Sequence, residues 1–207
     1  MCEKQKYSWI RKSIRLLKIL RKQSSKSRTT PIPKSIEIIA LDECWRVKYR
    51  KGSFPGVKLL YHDDSTLTLW GCVERVKKCR EALREWLMEK ARQDMIPWLH
   101  RLSREHDLPF GKVLVKGQKT IWGSCSRHKI LSINFKLLLI SRELVHYVFL
   151  HELCHTVYLD HSSKFWDLVA QKEPNYKKLD KELRNAWHSL PPWVHKYGLV
   201  LFLIVRI

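Results

Sequence analysis

No run of apolar residues in this 207-residue chain approaches the roughly 18–20 that a membrane-spanning helix needs; the nearest, Leu199–Val205, is far too short. The first residues lack the apolar stretch and cleavage site of a secretory signal. The six cysteines (Cys2, Cys44, Cys72, Cys79, Cys125, Cys154) include no Cys-x-x-Cys pair and form no dense framework, so reduced thiols are expected. Internal repeats and low-complexity tracts are absent, as are a phosphate-cradling glycine loop, a carboxylate cluster suited to Mg²⁺ and any recognised nucleic-acid-binding motif. Together these absences predict a cytoplasmic protein without a transmembrane segment.

Acidic residues are scarce as well. Asp and Glu number 20 against 40 Lys and Arg, a formal net charge of +20 that favours anionic partners without choosing among them. Apolar residues make up 44% of the chain and include 9 Trp, enough to bury a substantial core and to exclude wholesale disorder. Ten basic residues and one acid fall within residues 1–30, where Ile10, Ile14 and Leu17 recur at helical spacing opposite Arg11, Arg15, Lys18 and Lys22. A basic helix and linker over 1–33, a main domain over 34–195 and an apolar tail over 196–207 are the expected divisions.

Alternating apolar residues predict strands at Ile36–Leu41, Trp45–Tyr49, Val57–Tyr61 and Thr66–Leu69, separated by turn-prone segments. A helix is expected from Val73 to about Arg92, kinked or restarted at Pro97 and ending near Glu105. Val113–Val115, Thr120–Cys125 and Ile130–Phe135 read as further strands, the last two joined as a hairpin by residues 126–129. Ser141 can cap a helix that starts at Arg142, with Glu143 in its first turn.

That last helix carries His151-Glu152-Leu153-Cys154-His155, an H-E-x-x-H motif in an apolar run. Imidazoles four residues apart project from one helical face and can reach one ion. Glu152, beside the first of them, can orient and deprotonate a water on that ion. A third ligand leaves one tetrahedral position open, and His161, ten residues after His151, has the interval that metzincins use. A continuing helix would set His161 roughly 120° away from His155 and about 9 Å further along. The helix must therefore end between them. No glycine is available for that turn, and Asp160 is the expected left-handed residue. Cys154 lies about 100° from His155 and is expected to pack.

From Gly117 to His161 the chain closely resembles the YgjP-like metallopeptidase family of zincin-like hydrolases. The likeness rests on Gly117-Gln118-Lys119-Thr120-Ile121-Trp122-Gly123-Ser124-Cys125-Ser126, Leu131-Ser132-Ile133-Asn134, the H-E-L-C-H segment and His161-Ser162-Ser163-Lys164-Phe165-Trp166. It implies Zn²⁺ held by His151, His155 and His161, with Glu152 as general base. It also places a strand containing Trp122, Gly123, Ser124 and Cys125 beside a substrate cleft, where an extended peptide could pair with it. Three departures stand out: Ile121 where the family usually has Arg, Asp160 for a common Asn, and a shortened N-terminus.

The expected architecture is α+β, zincin-like, a small antiparallel sheet packed with helices and an active-site helix bearing the motif. The expected activity is hydrolysis of peptide bonds in a peptide or unfolded protein by a zinc-activated water, with Tyr158, Tyr176 and His128 as candidates for stabilising the oxyanion. Two other readings remain open at this point. One is a metal-dependent nucleoside triphosphate pyrophosphatase acting on an anionic nucleotide; the other is a basic protein or protease associated with nucleic acid.

Overall fold

The computed structural model describes residues 32–195. The expected basic helix within 1–33 and the apolar tail over 196–207 lie outside the described residues, apart from the last two positions of the linker. Seven strands and four α-helices follow in order: β1 (Ser35–Ile38), β2 (Glu43–Lys51), β3 (Val57–His62), β4 (Thr66–Gly71), α1 (Val76–Glu105), β5 (Lys112–Lys116), β6 (Gly123–Cys125), β7 (Ile130–Asn134), α2 (Arg142–Cys154), α3 (Ser163–Lys172) and α4 (Tyr176–Ser189). The class is α+β, as the pattern predicts. No helix among the described residues is long and apolar enough to cross a membrane.

The strands form two mixed sheets rather than one antiparallel sheet. The first has the order β1-β2-β4-β3 and the second β5-β7-β6. Each holds one parallel pair, β2 with β4 and β5 with β7, beside antiparallel neighbours. In the first sheet the β3–β4 hairpin folds back so that β4 inserts next to β2. The loop from β2 to β3 must then cross the end of β4, and it does so against Gly71, whose φ is +121°. A Cβ there would collide with the Gly56 carbonyl oxygen, so only glycine accommodates the crossing. Periodicity shows which residues are strands but says nothing about this insertion.

Helix α1 begins at Val76, three residues later than predicted, ends at Glu105 as predicted, and runs unbroken through Pro97, where the sequence predicts a kink or restart. One stripe of it, Cys79, Leu83, Leu87, Ala91, Met95, Leu99 and Leu102, is buried along the whole length. That continuous burial outweighs the hydrogen bond a mid-helix proline removes. Its contacts reach β3, β5, the 3-10 segment Phe135–Leu139 and α2, so it ties both sheets to the helix that carries the motif. The predicted strand Ile36–Leu41 ends at Ile38 and turns into a 3-10 segment, Ile39–Leu41, which left-handed Asp42 closes by donating its amide to the Ile39 carbonyl. The predicted strand Thr120–Cys125 shortens to Gly123–Cys125.

The segment before β6 is held by polar side chains instead. Asn134 Nδ2 donates to the carbonyls of Gln118 (3.0 Å) and Ile121 (2.9 Å), and Lys136 Nζ donates to the Gln118 carbonyl at 2.6 Å. Lys136 is buried, lies over the Trp187 ring at 5.1 Å and makes no ion pair with a carboxylate among the described residues. Burial, followed by the Arg84 guanidinium, lowers its pKa from 10.5 to about 8. Between those two values the unfolded chain holds a proton that the folded chain has released, so this group makes stability rise with pH there. Below about pH 8 both states are protonated and the burial cost is constant. Replacing Lys136 by Met should therefore abolish a pH-dependent gain. Denaturant titrations at pH 7.5 and pH 10 are expected to show the parent gaining about 2 kcal/mol relative to Lys136→Met.

Candidate metal centre

Ser141 Oγ accepts from the Leu144 amide at 3.4 Å and starts α2 where the sequence predicts it. The helix is buried from Leu144 onward except at His146, and it ends at Cys154 with His155 as its cap. The end is a sequence of tight turns. The amides of Thr156, Val157 and Tyr158 fold back onto the carbonyls of Leu153 and Cys154. Among the described residues the non-glycine positions with positive φ are Asp42, Ser65, Asp107 and Lys129, so Asp160 is not left-handed. Its carboxylate instead accepts from the Ser162 amide at 3.4 Å and leads the chain into α3. The predicted break between His155 and His161 is present, made without a left-handed residue.

The break brings three imidazoles together. One ring nitrogen from each of His151, His155 and His161 lies within 4.8 Å of the others. The Nε2 atoms of His151 and His161 are 3.3 Å apart. His155 Nδ1 sits 2.9 Å from the Tyr158 carbonyl, to which it can only donate, so its Nε2 carries the lone pair. That carbonyl is supplied by the same turn that ends the helix. His151 is buried, and its Nδ1 has no hydrogen-bond partner. Burial and the other two imidazoles push its pKa down to about 3, and burial likewise lowers His155. Neutral imidazoles with converging lone pairs are the donor set a divalent metal requires.

Aromatic rings fix this arrangement. Phe165 stacks on His155 with centroids 4.3 Å apart, and Trp166 stacks on His161 at 5.6 Å. Trp166 in turn stacks on Tyr176 at 5.5 Å. The histidine spacing alone gives Phe165 and Trp166 no role. Their signal is the spacing from His161, four and five residues, which places both on the face of α3 that returns to the triad.

Glu152 is 6% exposed, and its Oε2 has no hydrogen-bond partner. Burial alone pushes its carboxyl up to about 8. Against it lies Gly123 of β6, where an added Cβ would stand 2.6 Å from Glu152 Cγ and Oε1. The absence of a side chain is what lets the strand approach this carboxyl. Cys125, on the same face two residues on, feels Glu152 too, and its thiol is raised to about 11, chiefly by burial. Ser124 is exposed on the opposite face.

Trp122 lies elsewhere than a cleft-facing reading predicts. It is 3% exposed and stacked on Trp187 with centroids 3.9 Å apart, in the core behind β6. The backbone of β6 is oriented more informatively. The Trp122 carbonyl accepts from Asn134 N at 2.8 Å, and Ser126 N donates to the Ile130 carbonyl at 3.0 Å. In an antiparallel ladder bonded pairs alternate, so Gly123 and Cys125 turn their N–H and C=O groups away from β7. β6 is an edge of its sheet among the described residues.

Residues 3–186 match the YgjP-like metallopeptidase domain. The chain belongs to the YgjP-like metallopeptidase family. The family is one of metal-dependent peptidases, which implies a divalent metal and a peptide substrate, and the histidine cluster is a group that could hold such an ion. Among solved structures, the metallopeptidase zymogen jannalysin of Methanocaldococcus jannaschii is similar over 45% of this chain and 97% of its own, with 20% identity and a TM-score of 0.41. The zymogen abylysin of Pyrococcus abyssi is similar over 44% and 89%, with 21% identity and a TM-score of 0.37. No curated protein matches the chain.

Gly123 offers a direct probe of the packing in this YgjP-like site. Gly123→Ala should force the Glu152 side chain or β6 to shift, at a cost of about 1–3 kcal/mol in unfolding free energy. Because the three imidazoles are not touched, metal uptake measured by elemental analysis is expected to equal that of the parent.

Proposed function

We propose that the protein is a zinc metallopeptidase in which His151, His155 and His161 hold the metal and Glu152 is the general base. The observation that carries this reading is the convergence of three imidazoles next to a buried carboxyl whose Oε2 has no hydrogen-bond partner. Three imidazoles are a donor set that suits zinc, and the spacing of one pair is compatible with it. Two nitrogens at 2.0–2.1 Å from a tetrahedral ion stand about 3.3–3.4 Å apart, which is close to the 3.3 Å between Nε2 of His151 and of His161. When bound, zinc would supply a Lewis acid that acidifies a water and polarises a carbonyl.

The chain's own groups do the rest. Glu152 sits next to a ligand residue in sequence but has no partner competing for its Oε2, so that oxygen is free to take a proton from water and pass it to a leaving amide nitrogen. The dry surroundings that raise its pKa also make the carboxylate a stronger base than an exposed glutamate. An extended peptide would pair with the outward N–H and C=O groups of Gly123 and Cys125, by strand addition at the edge of β6. Gly123, Ser124 and Cys125 are thus the substrate-binding positions in this proposal, and Trp122 supports them from behind.

Elemental analysis of the purified protein and of His155→Ala tests the metal assignment: about one zinc per chain is expected in the parent and a loss in the variant. No zinc in the parent after zinc is supplied would overturn it. Glu152→Gln should retain zinc yet lose roughly 10²–10⁴-fold in cleavage of an unfolded protein, as expected for removal of a general base. Full cleavage by that variant, or hydrolysis of nucleoside triphosphates with no cleavage of protein by the parent, would overturn the peptidase reading.

A further inference from the structure

The four-stranded sheet has one face in the core, where Val47, Leu67 and Leu69 are buried. Its other face is open and carries an organised set of cations. On β2, Arg46, Lys48 and Arg50 alternate with core residues and are all exposed. The parallel register sets them beside Thr66, Thr68 and Trp70 of β4. On the far side of β4, Lys58, Leu60 and His62 of β3 stand opposite Trp70, Thr68 and Thr66. Small side chains in the middle and long ones on both flanks make a trough, with a volume of about 660 Å³.

We propose that this trough binds an extended single strand of nucleic acid, with phosphates along the β2 cations and bases over the threonine floor and the rim. Four observations support this occupant. Arg46, Lys48, Arg50 and Lys58 enter none of the ion pairs found among the described residues. Alternate residues of one strand repeat every 6.6–6.8 Å, roughly, so the three β2 cations form a regular positive rail. The walls are two strand spacings apart, about 9–10 Å, which seats one strand and not a duplex. The rim is apolar and aromatic: Leu60 is 54% exposed, and Phe54 stacks on Trp70 at the Lys58 end.

Charge regularity favours a nucleic acid over an acidic peptide. A phosphodiester chain carries one negative charge at every unit whatever its sequence, and stacking on side chains tolerates any base. A peptide strand would need acids at every second position to meet the same rail. Asp63 and Asp64 line one end of the trough and would repel a polyanion there, so the strand is expected to run from Arg46 toward the Arg50 and Lys58 end without passing over them. Thr66 Oγ1, buried in the floor, has no hydrogen-bond partner among the described residues. Occupation of this face would bring the peptidase domain to proteins bound along the strand.

The test is fluorescence anisotropy of the full chain with a labelled 20-nucleotide mixed-sequence single-stranded DNA and its RNA equivalent, at several salt concentrations. The basic segment within 1–30 is a rival source of binding, so two variants are compared: Arg46→Gln/Lys48→Gln/Arg50→Gln, and Arg11→Gln/Lys12→Gln/Arg15→Gln/Lys18→Gln. The sheet variant should bind at least about tenfold more weakly, with a log–log salt slope lower by about 2, as three lost phosphate contacts require. Unchanged affinity in the sheet variant would overturn the proposal, as would equal or tighter binding of duplex DNA or of poly-glutamate by the parent. Photo-cross-linking of the parent to the same strand keeps the test independent of variant folding. Cross-links at Trp70 or Phe54 are expected; cross-links confined to residues 1–31 would overturn it.

Discussion

The end of α2 is the constraint on which the site depends. Two histidines four residues apart need a helix, and a third histidine six residues later can join them only if that helix stops at once. The stop leaves carbonyls without helical partners, and one of the groups created by the turn, the Tyr158 carbonyl, accepts from His155 Nδ1. Chain reversal and imidazole orientation are therefore one event. Asp160 then receives the Ser162 amide, and α3 returns Phe165 and Trp166 against the same rings. A helix one turn longer would separate His161 from its partners and remove the carbonyl that orients His155.

The second dependence runs through polar groups in an apolar setting. Glu152 is enclosed by a helix, a strand and the core, with a carboxyl oxygen left unpartnered. Such a group destabilises the fold unless something else is gained, and it is tolerated where chemistry uses it. In the proposed reaction its raised proton affinity is the gain. The enclosure depends on β6 approaching closely at Gly123, and β6 is positioned from the side by Asn134 and Lys136 holding the preceding loop. The buried Lys136 is costly in the same sense, and it serves that loop. Polar residues with poor intrinsic burial thus frame the site on both sides of the sheet.

Much of this was legible in the order of residues. The H-E-x-x-H spacing, the need for a break before His161, the Ser141 cap and the strands on either side of residues 126–129 all follow from local geometry, because helix and hairpin patterns have short, fixed periods. Three features were not legible. Pro97 reads as a break, yet α1 continues through it because the helix is buried along its full length on one side. Trp122 reads as a groove residue from its neighbours, yet its ring turns into the core against Trp187, some sixty positions later in the chain. Asp160 reads as the left-handed residue, yet overlapping tight turns reverse the chain without one.

The sequence by itself determined the chemistry that could be assembled: which side chains carry lone pairs, which carboxyl stands beside them, and where the helix must stop. These follow from spacing within about ten residues. Tertiary structure alone decided which groups are dry, which face of β6 meets Glu152, and that β4 inserts beside β2 to make mixed sheets with one open, basic face. Those outcomes depend on contacts between segments far apart in the chain, and periodicity carries no information about them because every partner lies outside its window.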